Sequence, residues 1–292
     1  MATIRWFETQ AAWTEAAKSV QADVAQEGEW LGEPRSREGY CIACGGQTTF
    51  RLAGSDLSRA NVRENLCCIR CRLNTRQRLM LSAMLANGGD QRQPGVQGAL
   101  LEKTTRLYAR SRARMPWLRG SEYLGDDRQP GRSYWWSTRW WRWRRTRHES
   151  ITSLSYGNAS LDLLAHSDVL EHVYDTAAAL RESARVLKPG GVMLFTVPFL
   201  VDHPTSILRG RPDSSGQIEH LQPPEYHGDG LSRSGIYTFD NFGWDILEQI
   251  RNAGFSRAEA GFCYAPREGF HVDDASSAES WKMLPNILRG IR

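Results

Sequence analysis

SLDLLAHSDVLEHVYDTAAALRESARVLKPGGVMLFTVP, from Ser160 to Pro198, holds a strand, a helix and a second strand together with the residues that punctuate them. Leu161, Leu163, Leu164 and Ala165 form a short apolar run of the kind a buried strand shows. From Ala177 to Leu187 the apolar residues move to helical spacing, with Leu180, Ala184 and Leu187 on one face. Lys188-Pro189-Gly190-Gly191 stops that helix, because proline cannot continue it and glycine accepts the left-handed conformation. Val192 to Val197 then reads as a second buried strand. Two strands joined through a helix lie parallel with a right-handed crossover. In an open parallel sheet the ligand site lies beyond the carboxyl ends of the strands. Those ends carry His166, Ser167 and Asp168 on the first strand and Pro198-Phe199 on the second.

The 292 residues suffice for one large or two modest domains, and an apolar content of 40% is ordinary for a globular chain. The net charge of +4 is small, and its basic side is almost all arginine, with lysine only at Lys18, Lys103, Lys188 and Lys282. No apolar run approaches the ~20 residues of a membrane span. The amino terminus lacks a charged region followed by an apolar stretch, so a cytoplasmic protein is expected. Five of the six cysteines crowd between Cys41 and Cys71, which in a reducing compartment suggests metal rather than disulfides.

Residues 1–38 read as a helix, through Trp6, Ala12, Trp13, Ala16 and Val20, and a polar connector; packing on the chain's own domain is the expected role of the helix. Residues 39–86 form a cysteine module. Cys41-Ile-Ala-Cys44-Gly-Gly and Cys68-Ile-Arg-Cys71 have zinc-ribbon spacing, with Gly45-Gly46 supplying the small residues of the first turn. Four thiolates leave no open position, so a structural Zn2+ on Cys41, Cys44, Cys68 and Cys71 is expected, with Cys67 a bystander. Arg76 and Arg78 follow; contact with nucleic acid phosphates is one reading, and solvated or ion-paired residues at a domain junction the preferred one. Residues 87–97 look like a linker.

Further along, the motifs carry a resemblance. The first C-x-x-C is followed by Arg63-Glu64-x-x-x-Cys68-x-x-Cys71-x-x-Asn74-x-Arg76-Gln77-Arg78. Then come Gly120-Ser-Glu-Tyr-Leu-Gly125, Asp162-Leu-Leu-x-x-Ser-Asp-Val-Leu-Glu-His-Val173, Arg181-Glu-x-x-Arg-Val-Leu-Lys-Pro-Gly-Gly191 and Pro224-Glu-Tyr-His-Gly-Asp229. From about Tyr40 onward this resembles class I S-adenosylmethionine-dependent methyltransferases of the type 11-like kind that bear an amino-terminal zinc ribbon. The resemblance implies an α/β chain with a Rossmann-like seven-stranded sheet over residues 98–272, S-adenosylmethionine as cofactor, and a tail at 273–292.

The resemblance also implies roles. Gly98 to Leu101 would be the first strand, with Glu102 where the family has an acid. In the family a G-x-G turn follows, whose missing side chains let backbone approach the cofactor; this chain has Thr104 and Thr105 instead. Trp117 to Leu124 would be the second strand, with Glu122 placed to accept the ribose hydroxyls. Ser150 and Ile151 stand in the loop that meets the adenine, beside Glu149, while His166, Ser167 and Asp168 complete the cofactor set.

Between Gly131 and Arg147 five tryptophans interleave with arginines and no acid interrupts them. Base stacking, a membrane interface, and a variable insert or segment read in a shifted frame compete as explanations; no regular alternation marks a strand, which favours the last. Phe199 to Gly235 is a long polar connection over the site. His227 could take a proton from a hydroxyl or amine, oriented by Asp229 or Glu225. A metal site built from His203, His220, His227 and Asp229 is not expected, because no tight ligand spacing recurs. Phe239 to Ala253 reads as an amphipathic helix, Phe255 to Tyr264 as a strand, and Gly269 to Val272 as the last, antiparallel strand.

The expectation is therefore a methyltransferase acting on an oxygen or nitrogen of a small-molecule acceptor. The altered glycine turn motivates the alternative of a methyltransferase fold kept as a binding or scaffold protein. A nucleic-acid methyltransferase is less favoured on the modest net charge.

Overall fold

The computed structural model describes residues 3–26, 36–53, 61–88, 95–136, 143–228, 235–273 and 277–292. In chain order the main elements are β1 (Arg5–Phe7), α1 (Gln10–Ser19), β2 (Ser36–Cys41), β3 (Gly46–Leu52), β4 (Leu66–Cys68) and α2 (Thr75–Gly88). Next come β5 (Gly98–Leu100), α3 (Arg106–Arg114), β6 (Leu118–Gly120), β7 (Ser133–Trp136), β8 (Arg144–Arg147) and β9 (Leu161–Ser167). The chain finishes with α4 (Thr176–Val186), β10 (Leu187–Thr196), α5 (Ile246–Asn252), β11 (Arg257–Phe262) and β12 (Asn286–Ile291).

Among the described residues the Rossmann-like α/β sheet has seven strands in the order β1-β11-β12-β10-β9-β5-β6. Strands β6, β5, β9 and β10 run parallel, as their apolar runs and helical crossovers require. Antiparallel β12 is wedged between β10 and β11, and β1 closes the far edge on β11. The chain order turns back between β5 and β9. Loops leaving those two strands therefore diverge and open a crevice at their carboxyl ends.

Local chemistry explains the pivotal unit. The Asp175 carboxylate caps α4 by accepting from the Ala178 N–H at 2.8 Å, and Leu180 and Ala184 are buried on the inner face. The helix ends at Val186, and the register against β9 slips between Leu187 and Val192. Gly190 takes a φ of +78° inside that slip, where its N–H donates to the Arg292 carbonyl. In the same core cluster as α4, α1 buries Trp13, edge-on to Phe262, Phe199 and Trp244. That helix packs on the chain's own sheet, as expected.

Four expectations change. Trp6 belongs to β1, outside the first helix, and lies under the Arg289 guanidinium at 4.0 Å. Gly269–Val272 contributes only an isolated bridge at Phe270; the antiparallel strand inside the sheet is β12, drawn from the presumed tail. Its Arg289 and Gly290 hide the strand in the sequence, yet Arg289 is paired with Glu259 at 2.6 Å, and a Cβ on Gly290 would meet the Phe255 ring at 2.8 Å. The helix foreseen from Phe239 starts only at Ile246, because Phe242 and Trp244 donate to the carbonyls of Pro198 and His203 and hold that stretch extended. Lastly, the ends of the Trp/Arg segment pair as an antiparallel hairpin, β7 with β8, leaving Trp135 and Trp143 exposed; residues 137–142 of it lie outside the described residues.

The cysteine module is not separate from the sheet. Leu79, Met80, Leu81, Ala83 and Met84 of α2 are fully buried in one apolar cluster with Leu100, Leu163, Leu194 and Ile287 of the sheet and Phe50 and Leu73 of the module. Among the described residues no helix is long and apolar enough to cross a membrane.

Candidate functional site

The two cysteine knuckles meet across the β2–β3–β4 sheet. The Gly45 N–H donates to the Cys41 carbonyl and the residue sits at φ +64°; Arg72 takes the same conformation in the second knuckle, where its N–H donates to Cys68. All four sulfurs of Cys41, Cys44, Cys68 and Cys71 lie within 4.8 Å of one another, with 3.7 Å between Cys41 and Cys71 and between Cys44 and Cys68. A tetrahedron with arms of ~2.3 Å has edges of about 3.8 Å, so the spacing fits a zinc ion. The Cys71 thiol is pulled down to about 5, chiefly by the hydrogen bond from Cys41, and the Cys41 thiol moves in the opposite direction. Cys67 stands outside this group.

A cavity of about 900 Å³ opens where the carboxyl ends of β5, β6, β9 and β10 converge. Its first wall is the loop after β5. One oxygen of Glu102 is sealed from solvent with no hydrogen-bond partner, and burial pushes the carboxyl up to about 7 against the opposing pull of Thr105 and Arg76. Glu122 is also buried. Its Oε1 accepts from the backbone N–H groups of Lys103 at 2.8 Å and Thr104 at 2.6 Å. A carboxylate thus braces the turn where the family has glycines. Ser150, Ile151 and Thr152 line the adjoining wall, while Glu149 is held by Arg147 at 2.7 Å and by the Ser155 N–H at 2.9 Å.

Because the folded carboxyl of Glu102 lies above the ordinary 4.5, the native state keeps this proton longer than the unfolded chain does. The stability it contributes is full below about pH 4.5 and is lost as pH rises through about 7, an amount of roughly 3 kcal/mol. Glu102→Gln should therefore be the more stable protein at pH 8 and nearly equal to the parent at pH 4. Urea denaturation of both proteins at the two pH values checks this; an unchanged difference between them would refute it.

Ser167 and Asp168 end β9. Asp168 sits at φ +50°, a left-handed conformation that aspartate tolerates better than most residues. Burial works against its charge, but Arg63 and Arg76 overcome it and hold the carboxyl at about 2. Arg63 reaches Asp168 Oδ1 at 2.7 Å and Arg76 reaches Oδ2 at 3.1 Å, while Glu64 accepts from Arg76 at 2.8 Å. Both arginines come from the cysteine module and line the cavity. Arg76 is ion-paired at the junction, as preferred from the sequence. Arg78 departs from that reading: it is fully buried and donates to the carbonyls of Leu66, Leu73 and Gly269.

Tyr226, His227 and Gly228 also line the cavity. His227 Nε2 lies 2.9 Å from Glu225 Oε1, and Nδ1 lies 3.6 Å from Glu171 Oε1. These carboxylates, Glu171 foremost, raise the imidazole to about 9. It keeps its proton at neutral pH, so the expected role as a proton acceptor does not suit this state. Asp229 lies outside the described residues.

Residues 115–195 match the family of methyltransferase domains. Over 52 residues, 18% of this chain, the sequence is 40% identical to a protein of Mycolicibacterium smegmatis described as a probable S-adenosylmethionine-dependent methyltransferase; the match spans 20% of that protein's length. Solved structures with a similar fold include an S-adenosylmethionine-dependent methyltransferase from Mesorhizobium loti, at 16% identity over 75% of this chain and 98% of that one, with a TM-score of 0.40. Another is the 1,6-didemethyltoxoflavin-N1-methyltransferase of Burkholderia thailandensis with 1,6-didemethyltoxoflavin and S-adenosylhomocysteine bound, at 15% identity over 75% and 78% of the two chains, TM-score 0.40.

At the carboxyl ends of the sheet's strands, Glu102, Thr104, Glu122, Ser150, Ile151, Ser167 and Asp168 all line the same cavity. His166 does not. It points into the core, stacked on Phe195 at 5.1 Å, and burial pushes its imidazole down to about 3, so it is a neutral core residue. His203 is bonded to Asp202 at 2.9 Å and His220 lies 3.2 Å from the Tyr237 hydroxyl, so neither joins His227. Sequence reasoning missed Arg63, Glu171 and His172 as site residues. All three stand in the quoted motifs, and the Glu-His pair directly after a strand end was the available signal.

Proposed function

We propose that this protein transfers a methyl group from S-adenosylmethionine to an oxygen or nitrogen of a small-molecule acceptor, and that the four cysteines hold a structural zinc. The observation that carries the reading is the cavity itself. It lies at the carboxyl ends of parallel strands beside the point where chain order reverses, and it has the size of a small-molecule site. Its walls present the sealed oxygen of Glu102 and the Ser167 hydroxyl, neither with a partner among the described residues, as polar groups for a ligand to satisfy.

Bound there, S-adenosylmethionine supplies an electrophilic methyl carbon on a good leaving group. This chain's residues then bind and align. Glu102, Thr104 and Glu122 form the cofactor wall with Ser150, Ile151, Ser167 and Asp168, and the loop bearing Glu225 and His227 covers the acceptor. Alignment of donor and acceptor is the main catalytic contribution.

The engagement of Glu122 with the Lys103 and Thr104 amides favours one alternative, a fold that no longer binds cofactor. Titration calorimetry with S-adenosylhomocysteine separates the two. Micromolar binding, weakened at least tenfold by Glu122→Ala, is the expected result; no binding by folded, zinc-loaded protein would leave the scaffold alternative standing.

A further inference from the structure

We propose that Glu171, His172 and His227 form a binding site for a divalent transition-metal ion at the acceptor end of the cavity, with open coordination positions that take a hydroxyl oxygen of the acceptor. The part concerning the acceptor rests on the methyl-transfer reading. The metal site itself does not.

One ligand atom from each residue lies within 4.8 Å of the others; Glu171 Oε1 is 3.6 Å from His227 Nδ1 and 3.9 Å from His172 Nε2. Metal–ligand bonds of ~2.0–2.2 Å separate neighbouring ligand atoms by about 3–3.6 Å, so the two Glu171 distances are within a few tenths of an ångström of that range, and the two imidazoles would turn toward the shared ion. The hydrogen bonds on the far sides of both rings set the tautomers. His172 Nδ1 is 2.8 Å from the Tyr237 carbonyl, an acceptor, so the ring proton belongs on Nδ1 and the Nε2 lone pair faces Glu171. His227 Nε2 is 2.9 Å from the Glu225 carboxylate, which holds one ring proton there; the second proton, on Nδ1 facing Glu171, is the one a metal ion would displace. Outward carbonyl and carboxylate partners of this kind are what metal-binding imidazoles use.

Glu171 supplies the independent observation. Its side chain is 0% exposed and neither oxygen makes a hydrogen bond among the described residues. The cation nearest to it, the His227 ring, stands at 3.6 Å without a hydrogen bond, so the buried carboxylate is only partly compensated, and a metal ion shared with two imidazoles would complete the compensation. The position is firm: Glu171 and His172 lie on the helical turn Leu170–His172 just beyond β9, and the Phe239 N–H donates to the Glu171 carbonyl at 2.7 Å. Both imidazoles line the cavity, so open positions face it. Two imidazoles and one carboxylate suit manganese, iron or zinc better than magnesium or calcium.

An acceptor hydroxyl on such an ion loses its proton to solvent more readily. The oxygen then forms its bond to the methyl carbon as the carbon–sulfur bond breaks, the electron pair remaining on sulfur.

The test uses full-length, zinc-loaded protein titrated with Mn2+, free ion being read by electron paramagnetic resonance, since manganese does not displace zinc from four thiolates. One Mn2+ per chain is expected, weakened at least tenfold in His227→Gln, whose side chain is partly exposed, and in Glu171→Gln, with zinc content and circular dichroism unchanged. Absence of a manganese site in the parent, or equal binding in both folded variants, would overturn the proposal and leave Glu171 and His227 as an ion pair. Manganese binding without S-adenosylhomocysteine binding would sink the methyl-transfer reading alone.

Discussion

Stripping the proposed zinc from the cysteine cluster, or replacing Cys71 with serine, is expected to unfold the β2–β4 module and to abolish the proposed S-adenosylhomocysteine binding in the cavity that its arginines help to line. The first effect follows from the donor set. A structural zinc contributes roughly 10 kcal/mol or more to a small module, whereas this one otherwise rests on a few buried side chains such as Phe50, Leu52, Leu66 and Leu73. The second effect runs through two arginines. Arg63 and Arg76 travel with the module, and they are the cations that hold Asp168 ionised in a left-handed conformation at the cavity wall. Without them a buried carboxylate stands unpaired, a loss of about 3–5 kcal/mol that the loop after β9 relieves by rearranging. Zinc content by elemental analysis and calorimetry with S-adenosylhomocysteine on the same samples check both halves. A zinc-free protein with undiminished cofactor affinity would show that module and cavity are independent.

Arg78→Ala is the second large expected effect, a destabilisation of about 3–5 kcal/mol in urea denaturation. Arg78 is fully buried, and its guanidinium donates to the carbonyls of Leu73 at 2.6 Å, Gly269 at 2.8 Å and Leu66 at 3.0 Å while stacking on Phe50 at 4.5 Å. Burial lowers its pKa, and the neighbouring cysteine sulfurs oppose that shift. The proposed zinc on four thiolates would carry net negative charge and make this cation its counter-charge; the guanidinium is also a staple to the loop at Gly269. Alanine would leave the carbonyls without donors and the sulfurs without compensation. Lysine keeps the charge but lacks the fork, so Arg78→Lys should fall between the two. Parent-like stability in Arg78→Ala would refute the staple.

The sequence alone settled those features whose determinants are local. The β9–α4–β10 unit is written in apolar spacing and in the Lys188–Gly191 stop. The cysteine knuckles are written in two C-x-x-C spacings, and part of the cavity lining in acids at strand ends. Where context outweighs pattern the sequence was silent. β12 looks polar because Arg289 is neutralised by Glu259 and Gly290 makes room for Phe255, partners that are remote in the chain. His166 stands near the carboxyl end of β9 as a ligand would, yet the pleat turns it onto Phe195. Tertiary packing alone decided that arginines of the cysteine module complete the cavity, and that Glu171 and His172 meet His227. These groups are separated by more than fifty residues, so their electrostatic partnership exists only once the sheet has brought them within a few ångströms of one another.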